Sequence, residues 1–314
     1  MCKGQLIRKT LWSLSFLLGA SVCTVAAAQD EVTTDTSKSN DNVLIAKRDI
    51  TGFAAVDEKL PLWEYGVGGG YGQAPNYPSS SETNKFGIAL PYFVYRGDVF
   101  RIGGGGVRAV VVEDDKWELD LSFGGALSAN SEDNTVRDGM PELDFLFEVG
   151  PQLIYQIHRH KFVTGGTGQL KLRLQARSVF STDFSNIAHQ GYVFEPELQW
   201  QQRGWLSPDT ALGIRVSTIF ANAGVQDYFY GVAEEFVTPD RSLYVAKGGY
   251  LGSDLGVSFS FKAAENIRGF IGATLSFHQG AANEDSPLFE KETTVQWGIG
   301  FVWRLGQSTE KASY

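Results

Sequence analysis

The sequence predicts an all-β fold: a closed antiparallel transmembrane β-barrel of twelve strands, with ten as the alternative count. Three observations predict it. Beyond residue 62 the apolar residues recur with period two, and helical period is hard to find. Most alternating segments run 10–15 residues, where strands of soluble sheets average about five or six and a tilted membrane-crossing strand needs about 9–11. Aromatic residues gather near the segment ends, as in Trp63 and Tyr71, Tyr92 and Tyr95, Tyr192 and Trp200, Trp297 and Trp303. That is the placement of the interfacial girdles of a membrane barrel.

Composition narrows the alternatives. The chain has 314 residues, 43% hydrophobic, with a formal net charge of −9. After the N-terminus no apolar run reaches the 18 or so residues of a membrane helix, which excludes a polytopic helical protein. The acidic balance argues against a nucleic-acid partner, which calls for a basic patch.

Residues 1–28 read as a secretory signal peptide: Lys3, Arg8 and Lys9 precede an apolar stretch over 11–25 and the small residues Ala26, Ala27 and Ala28. Both cysteines, Cys2 and Cys23, lie inside it, so the mature chain is expected to have none, and no thiol chemistry follows. Removing the three basic residues takes the net charge from −9 to −12. Residues 29–60 are polar and read as a flexible periplasmic arm. The barrel is placed at 61–305, followed by a short tail at 306–314.

The expected strands are 62–71, 86–95, 99–112, 116–128, 143–157, 170–180, 192–200, 209–221, 250–262, 267–279 and 295–305. Alternation is strictest where Trp117, Leu119 and Leu121 interleave with Glu118 and Asp120, and where Leu170, Leu172 and Leu174 interleave with Lys171 and Arg173. A twelfth strand is expected over 228–236, to give an even number. Runs of glycine at 66–70, 103–106 and 165–168 lack the Gly-Lys-Ser/Thr of a phosphate loop and read as places where a curved sheet bends or packs closely.

Chemistry is sparse. His158 and His160 share a strand face, without the third and fourth ligands of a metal site, so no metal and no cofactor is expected. Ser276 and His278, with Asn283 beyond, are the best hydrolase constellation available. Asp227, Tyr228, Phe229 and Tyr230 form the most concentrated aromatic cluster and are candidates for a partner-binding or lumen-closing element. Near the C-terminus Gln296, Gly298, Phe301 and Trp303 form an amphipathic strand of the kind read by a barrel-assembly machine.

Several stretches together carry a resemblance: LPYFVYRGDVFR at 90–101, GMPELDFLFEVG at 139–150, DYFYGV at 227–232, then Arg241-Ser242-Leu243-Tyr244, Gly248-Gly249-Tyr250 and Ser286-Pro287-Leu288. In their order and spacing the chain resembles the MipA/OmpV family of outer-membrane proteins (MltA-interacting protein and relatives). The arm at 29–59 and the nine-residue tail depart from that pattern. The resemblance implies a Gram-negative outer-membrane barrel in contact with lipid. It also implies a non-enzymatic scaffold between a murein transglycosylase and a murein synthase, associated with peptidoglycan synthesis and turnover. The rival expectations are a small-solute channel and, second, an outer-membrane lipid hydrolase.

Overall fold

The computed structural model describes residues 60–96, 100–103, 106–109, 112–113, 116–126, 134–162, 166–204 and 206–312. The expected signal peptide at 1–28 and nearly all of the expected arm at 29–60 lie outside the described residues. Ten long strands carry the fold: β1 (Trp63–Pro75), β2 (Thr83–Arg96), β6 (Trp117–Ala126), β7 (Phe145–Lys161), β8 (Thr167–Thr182), β9 (Ile187–Arg203), β10 (Thr210–Ala221), β11 (Gly249–Ala264), β12 (Ile267–Phe277) and β13 (Thr293–Gln307). Three short ones, β3 (Phe100–Gly103), β4 (Gly106–Ala109) and β5 (Val112–Glu113), fall between β2 and β6.

All thirteen belong to one antiparallel sheet in the order β4-β3-β2-β1-β13-β12-β11-β10-β9-β8-β7-β6-β5. The first and last long strands pair with each other, from Glu64 opposite Gln307 to Gln73 opposite Trp297. The two ends of the sheet are consecutive in the chain, and β4 comes against β6 across them. The sheet is therefore rolled on itself, with its hydrogen-bonded ladder interrupted between β4 and β5.

Two expected strands are corrected. Residues 99–112 do not form one crossing strand: Gly103 and Gly106 face each other at the turn of a short β3–β4 hairpin. Glycine there serves a tight reversal, where a strand interior would be weakened by it. Residues 228–236 do not form a strand either. Residues Ala223–Tyr230 form the helix α1, and Glu234–Phe236 a single 3-10 turn. The cause is local. The Asn222 side chain accepts the Val225 N–H at 3.3 Å as an N-cap, and the Gly231 N–H closes the helix on the Asp227 carbonyl at 2.8 Å. The tail boundary also shifts. β13 continues through Gly306 and Gln307, and Lys311 bridges Pro61.

The two faces of the sheet have inverted polarity. On β13, Val295, Trp297, Ile299, Phe301, Trp303 and Leu305 are exposed, while the residues between them are half-buried or buried. β8 follows the same order: Lys171, Arg173, Gln175 and Arg177 are buried and Leu172 and Leu174 lie on the more open face. Burying charges while exposing Ile, Val and Trp would be ruinous for a sheet in water. It is the arrangement of strands set in lipid around a polar interior. Aromatic pairs mark both edges of the apolar band, with Trp63 on Tyr65 and Trp117 on Tyr155 near the chain termini, and Tyr71 by Trp297 and Phe147 on Phe180 at the far end. Trp297 and Trp303 are six residues apart, about 20 Å of strand.

Candidate functional site: a paired inner wall beneath an apolar cap

The inner wall is richest in charge on β7, β8 and β9. Arg177 sits between two carboxylates: its Nε donates to Glu148 Oε2 at 2.7 Å and its Nη2 to Glu195 Oε2 at 2.6 Å. A third bond, from Nη1 to Gln175 Oε1 at 2.7 Å, completes its fork. Below it Arg173 reaches Glu197 at 3.4 Å, Gln169 donates to Gln201 at 2.6 Å and Gln152 donates to Asp120 at 2.8 Å. Alternation places each of these groups inward, and the register sets them beside one another, as with Arg173 opposite Glu197 and Gln152 opposite Asp120. A buried charge is tolerable when a partner and hydrogen bonds replace its water. Near the termini the same logic joins Arg96 to Glu64 at 2.6 Å, with Arg304 at 3.6 Å from the second Glu64 oxygen.

At the opposite end the connections fold inward as a cap. Its parts are the β1–β2 turn, residues 134–143, α1 with the loop to β11, and the loop between β12 and β13. They share one apolar cluster, in which Tyr77, Leu143, Val225, Phe229, Tyr230, Val232 and Leu288 meet Leu146 of β7, Val179 of β8, Val193 of β9 and Leu251 of β11. Because the strand residues come from one side of the sheet and Tyr77 from the β1–β2 turn, the cluster reaches across the mouth. Tyr230 and Leu288 have no exposed surface at all.

The expected aromatic segment forms the centre of this cap. Helical spacing buries Val225 with Phe229 and Gln226 with Tyr230. The Tyr230 hydroxyl donates to the Pro78 carbonyl at 2.9 Å, and the Tyr228 hydroxyl to the Asp144 carbonyl at 3.3 Å. Asp227 is exposed, and its Oδ1 accepts the Ala246 N–H at 3.1 Å. Burial pushes the Tyr228 and Tyr230 hydroxyls above the ordinary tyrosine range. Both therefore remain donors. A Cβ at Gly191 would overlap the Asn222 amide, so only glycine lets β9 receive the residue that caps α1.

Sequence reasoning missed the groups that fasten the cap. Glu290 accepts from Ser81 N at 2.9 Å, Ser81 Oγ at 2.5 Å, Ser80 Oγ at 3.3 Å and Tyr77 Oη at 3.1 Å. Arg137 donates to the Phe229 carbonyl at 3.2 Å, at the C-terminal end of α1, and lies over the Tyr77 ring at 5.8 Å. Burial lowers its affinity for the proton. Arg241 holds three carbonyls, those of Phe236, Val136 and Asp138. Only Asn222 followed by Gly231 carried a sequence signal, as helix start and stop.

The hydrolase constellation is not assembled. The ring nitrogens of His278 bond the Ser79 N–H, Thr294 and the Leu251 carbonyl. Ser276 lies by Asp254, and Asn283 bonds Gln226, Tyr244 and Lys247 within the cap. His158 and His160 stack at 6.2 Å, and among the described residues no three potential ligands cluster around a metal position. On the last strand, Gln296 and Gly298 face inward, while Phe301 and Trp303 face outward opposite Gly69 and Val67 of β1.

A rolled antiparallel sheet, apolar outside and ion-paired inside, defines the class: a β-barrel membrane protein. No described helix is long and apolar enough to cross a membrane. The family model described as MltA-interacting protein MipA matches residues 67–305, and the chain belongs to that family. No curated protein matches the sequence. Among solved structures it is similar to OprB of Pseudomonas putida, at 6% identity and a TM-score of 0.35, over 77% of this chain and 94% of that one. Likeness extends to OmpT of Vibrio cholerae, at 8% and 0.25 over 79% and 100%. It extends also to the P. putida toluene transporter TodX, at 11% and 0.24 over 76% and 66%.

Proposed function

We propose that this chain is a non-enzymatic scaffold of the Gram-negative outer membrane, a closed barrel with its termini in the periplasm and its cap facing outward. The observation that carries the reading is the apolar cluster seated across one mouth. A stopper with the packing of a core argues against free passage of solutes through this mouth. Ser276, His278 and Asn283 each bond other groups, which does not favour the hydrolase reading. The family name supplies the partner class, a murein transglycosylase, with a murein synthase as its counterpart on the same scaffold. The periplasmic edge and the arm at 29–60 are the surfaces such enzymes reach after the signal peptide at 1–28 is removed. Gln296, Gly298, Phe301 and Trp303 are the assembly signal on β13.

The test is affinity capture of the detergent-solubilised protein from envelopes, with murein transglycosylase and synthase assayed in the eluate. Co-elution that survives in an 223–248 loop replacement and is lost on removal of residues 29–59 supports a periplasmic scaffold. Absence of both enzymes from the eluate refutes it. A small-solute channel is the second reading, favoured by the charged wall of β7–β9.

A further inference from the structure

The loop from α1 to β11 leaves one strand edge of the cap uncovered. Tyr244 and Val232 exchange both of their main-chain bonds, at 2.9 and 3.1 Å, as a hydrogen-bonded antiparallel pair. Along a strand such pairing alternates, so the residues on either side of Tyr244 direct their N–H and C=O groups to the opposite edge. Ala246, two positions on, obeys the alternation and turns its N–H back to Asp227 Oδ1 at 3.1 Å. The main-chain groups of Leu243 and Val245 enter no hydrogen bond among the described residues.

Their side chains face away from the cap as well. Ala246 is buried and the Tyr244 hydroxyl bonds Asn283 Oδ1 at 3.2 Å. Leu243, by contrast, is 52% exposed, and Val245, at 75%, is the most exposed large hydrophobic among the described residues. Open edges are commonly guarded by charge or proline, and this one presents Leu and Val. It is also held in place: Arg241 binds the Phe236, Val136 and Asp138 carbonyls, and the Lys247 N–H bonds Asn283. Little ordering is left to oppose binding. The charge around it is acidic. Glu234, Glu235 and Asp240 are exposed in the same loop against Lys247, and Asp285 lies near Tyr244.

We propose that the edge at Leu243 and Val245 binds an extended polypeptide segment by strand addition, one whose residues alternate between aliphatic and basic. The main chain of the segment pairs with the open N–H and C=O groups of the two residues. Its aliphatic residues lie beside the Leu243 and Val245 side chains and bury apolar surface that is otherwise wet. Its basic residues fall on the other face, on the side of Tyr244 and Asp285, within the acidic surround. The site does not depend on the scaffold reading, because no murein enzyme enters it.

The experiment uses the mature protein in phosphatidylcholine nanodiscs, whose zwitterionic surface does not itself gather cations. The probe is a short fluorescent peptide alternating lysine and valine, blocked at both ends. Saturable binding is expected, with slowed amide exchange at Leu243 and Val245. The same peptide N-methylated at every residue keeps its charge but donates no main-chain bond, and should bind about tenfold more weakly. Val245→Pro removes an N–H that has no partner in the protein, so the fold is kept and binding should fall about tenfold, or about 1.4 kcal/mol. If that variant does not fold, Leu243→Lys decides, and it should weaken binding to a similar degree. Equal binding of the two peptides, or binding unchanged in a folded variant, overturns the proposal. So does protection of the same amides that rises with protein concentration in detergent without peptide, which would give the edge to a second copy.

Discussion

His278 Nε2 accepts the backbone N–H of Ser79 at 3.2 Å across 199 residues of sequence. Ser79 has a positive φ of 66°, a strained conformation for a residue with a Cβ, and this bond helps to hold it. Nδ1 faces the Leu251 carbonyl at 3.2 Å, so the ring is neutral with its proton on Nδ1. A proton added to Nε2 would displace the Ser79 N–H and leave only the Thr294 hydroxyl, at 3.1 Å, to accept it.

The pH dependence follows. Burial holds the His278 pKa below its ordinary value of 6.5, while the Leu251 carbonyl and Asp254 pull the other way. The unfolded chain binds a proton that the folded chain refuses, so this site's stability is complete above 6.5 and is lost as pH falls through the lower folded value. Protection of the Ser79 amide, taken relative to its intrinsic exchange rate at each pH, should fall between about pH 7.5 and about pH 5. In His278→Gln, which keeps an acceptor and does not titrate, that fall should be absent.

Arg177 tests the inner wall. Arg177→Ala leaves Glu148 and Glu195 facing each other without the cation that separates them, at a cost of about 3–5 kcal/mol. Replacing all three by Met, Gln and Gln should be close to neutral. Urea unfolding in vesicles measures both, and equal losses for the two variants would show that the pairing contributes nothing specific.

Ile299 tests the outer face. It lies midway between Trp297 and Phe301 on β13 and is 47% exposed. On a water-facing surface Ile299→Arg would change stability by less than about 0.5 kcal/mol. In a bilayer it should cost about 2–4 kcal/mol, read as a shift in the urea midpoint in phospholipid vesicles.

Asn222 tests how the cap is attached. Its side chain serves both Val225 N of α1 and, at 3.0 Å, Tyr192 N of β9. Asn222→Ala should cost about 1 kcal/mol as a lost N-cap and loosen α1 first. Proteolysis between β10 and β11 should therefore rise before global unfolding does.

What the sequence disclosed and what it hid divide along a physical line. The strands of β8, β9 and β13 were legible because each carries its own alternation, and alternation is a local property. The cap was not legible as a cap. Tyr77 meets the Leu288 carbonyl over 211 residues and Arg137 meets that of Phe229 over 92, and no local pattern encodes such meetings. The Tyr228-Phe229-Tyr230 run looked like a strand because all three residues are aromatic, and the capping pair Asn222 and Gly231 outweighed that preference. The segment 99–112 misled for a related reason, since glycine is used both in curved strands and in tight reversals. The candidate segment at 227–230 lies at the centre of the cap, yet residues that bond it, Arg137 and Ser79, carry no sign of their role in the sequence.

The packed apolar cap should close the mouth of this membrane barrel. Planar-bilayer recording tests it most directly, on the intact mature chain and on a variant in which residues 223–248 are replaced by a short Gly-Ser turn joining β10 to β11. The intact protein should give no conductance steps and the variant discrete ones. Steady openings from the intact chain, unchanged when the cap is removed, would contradict it.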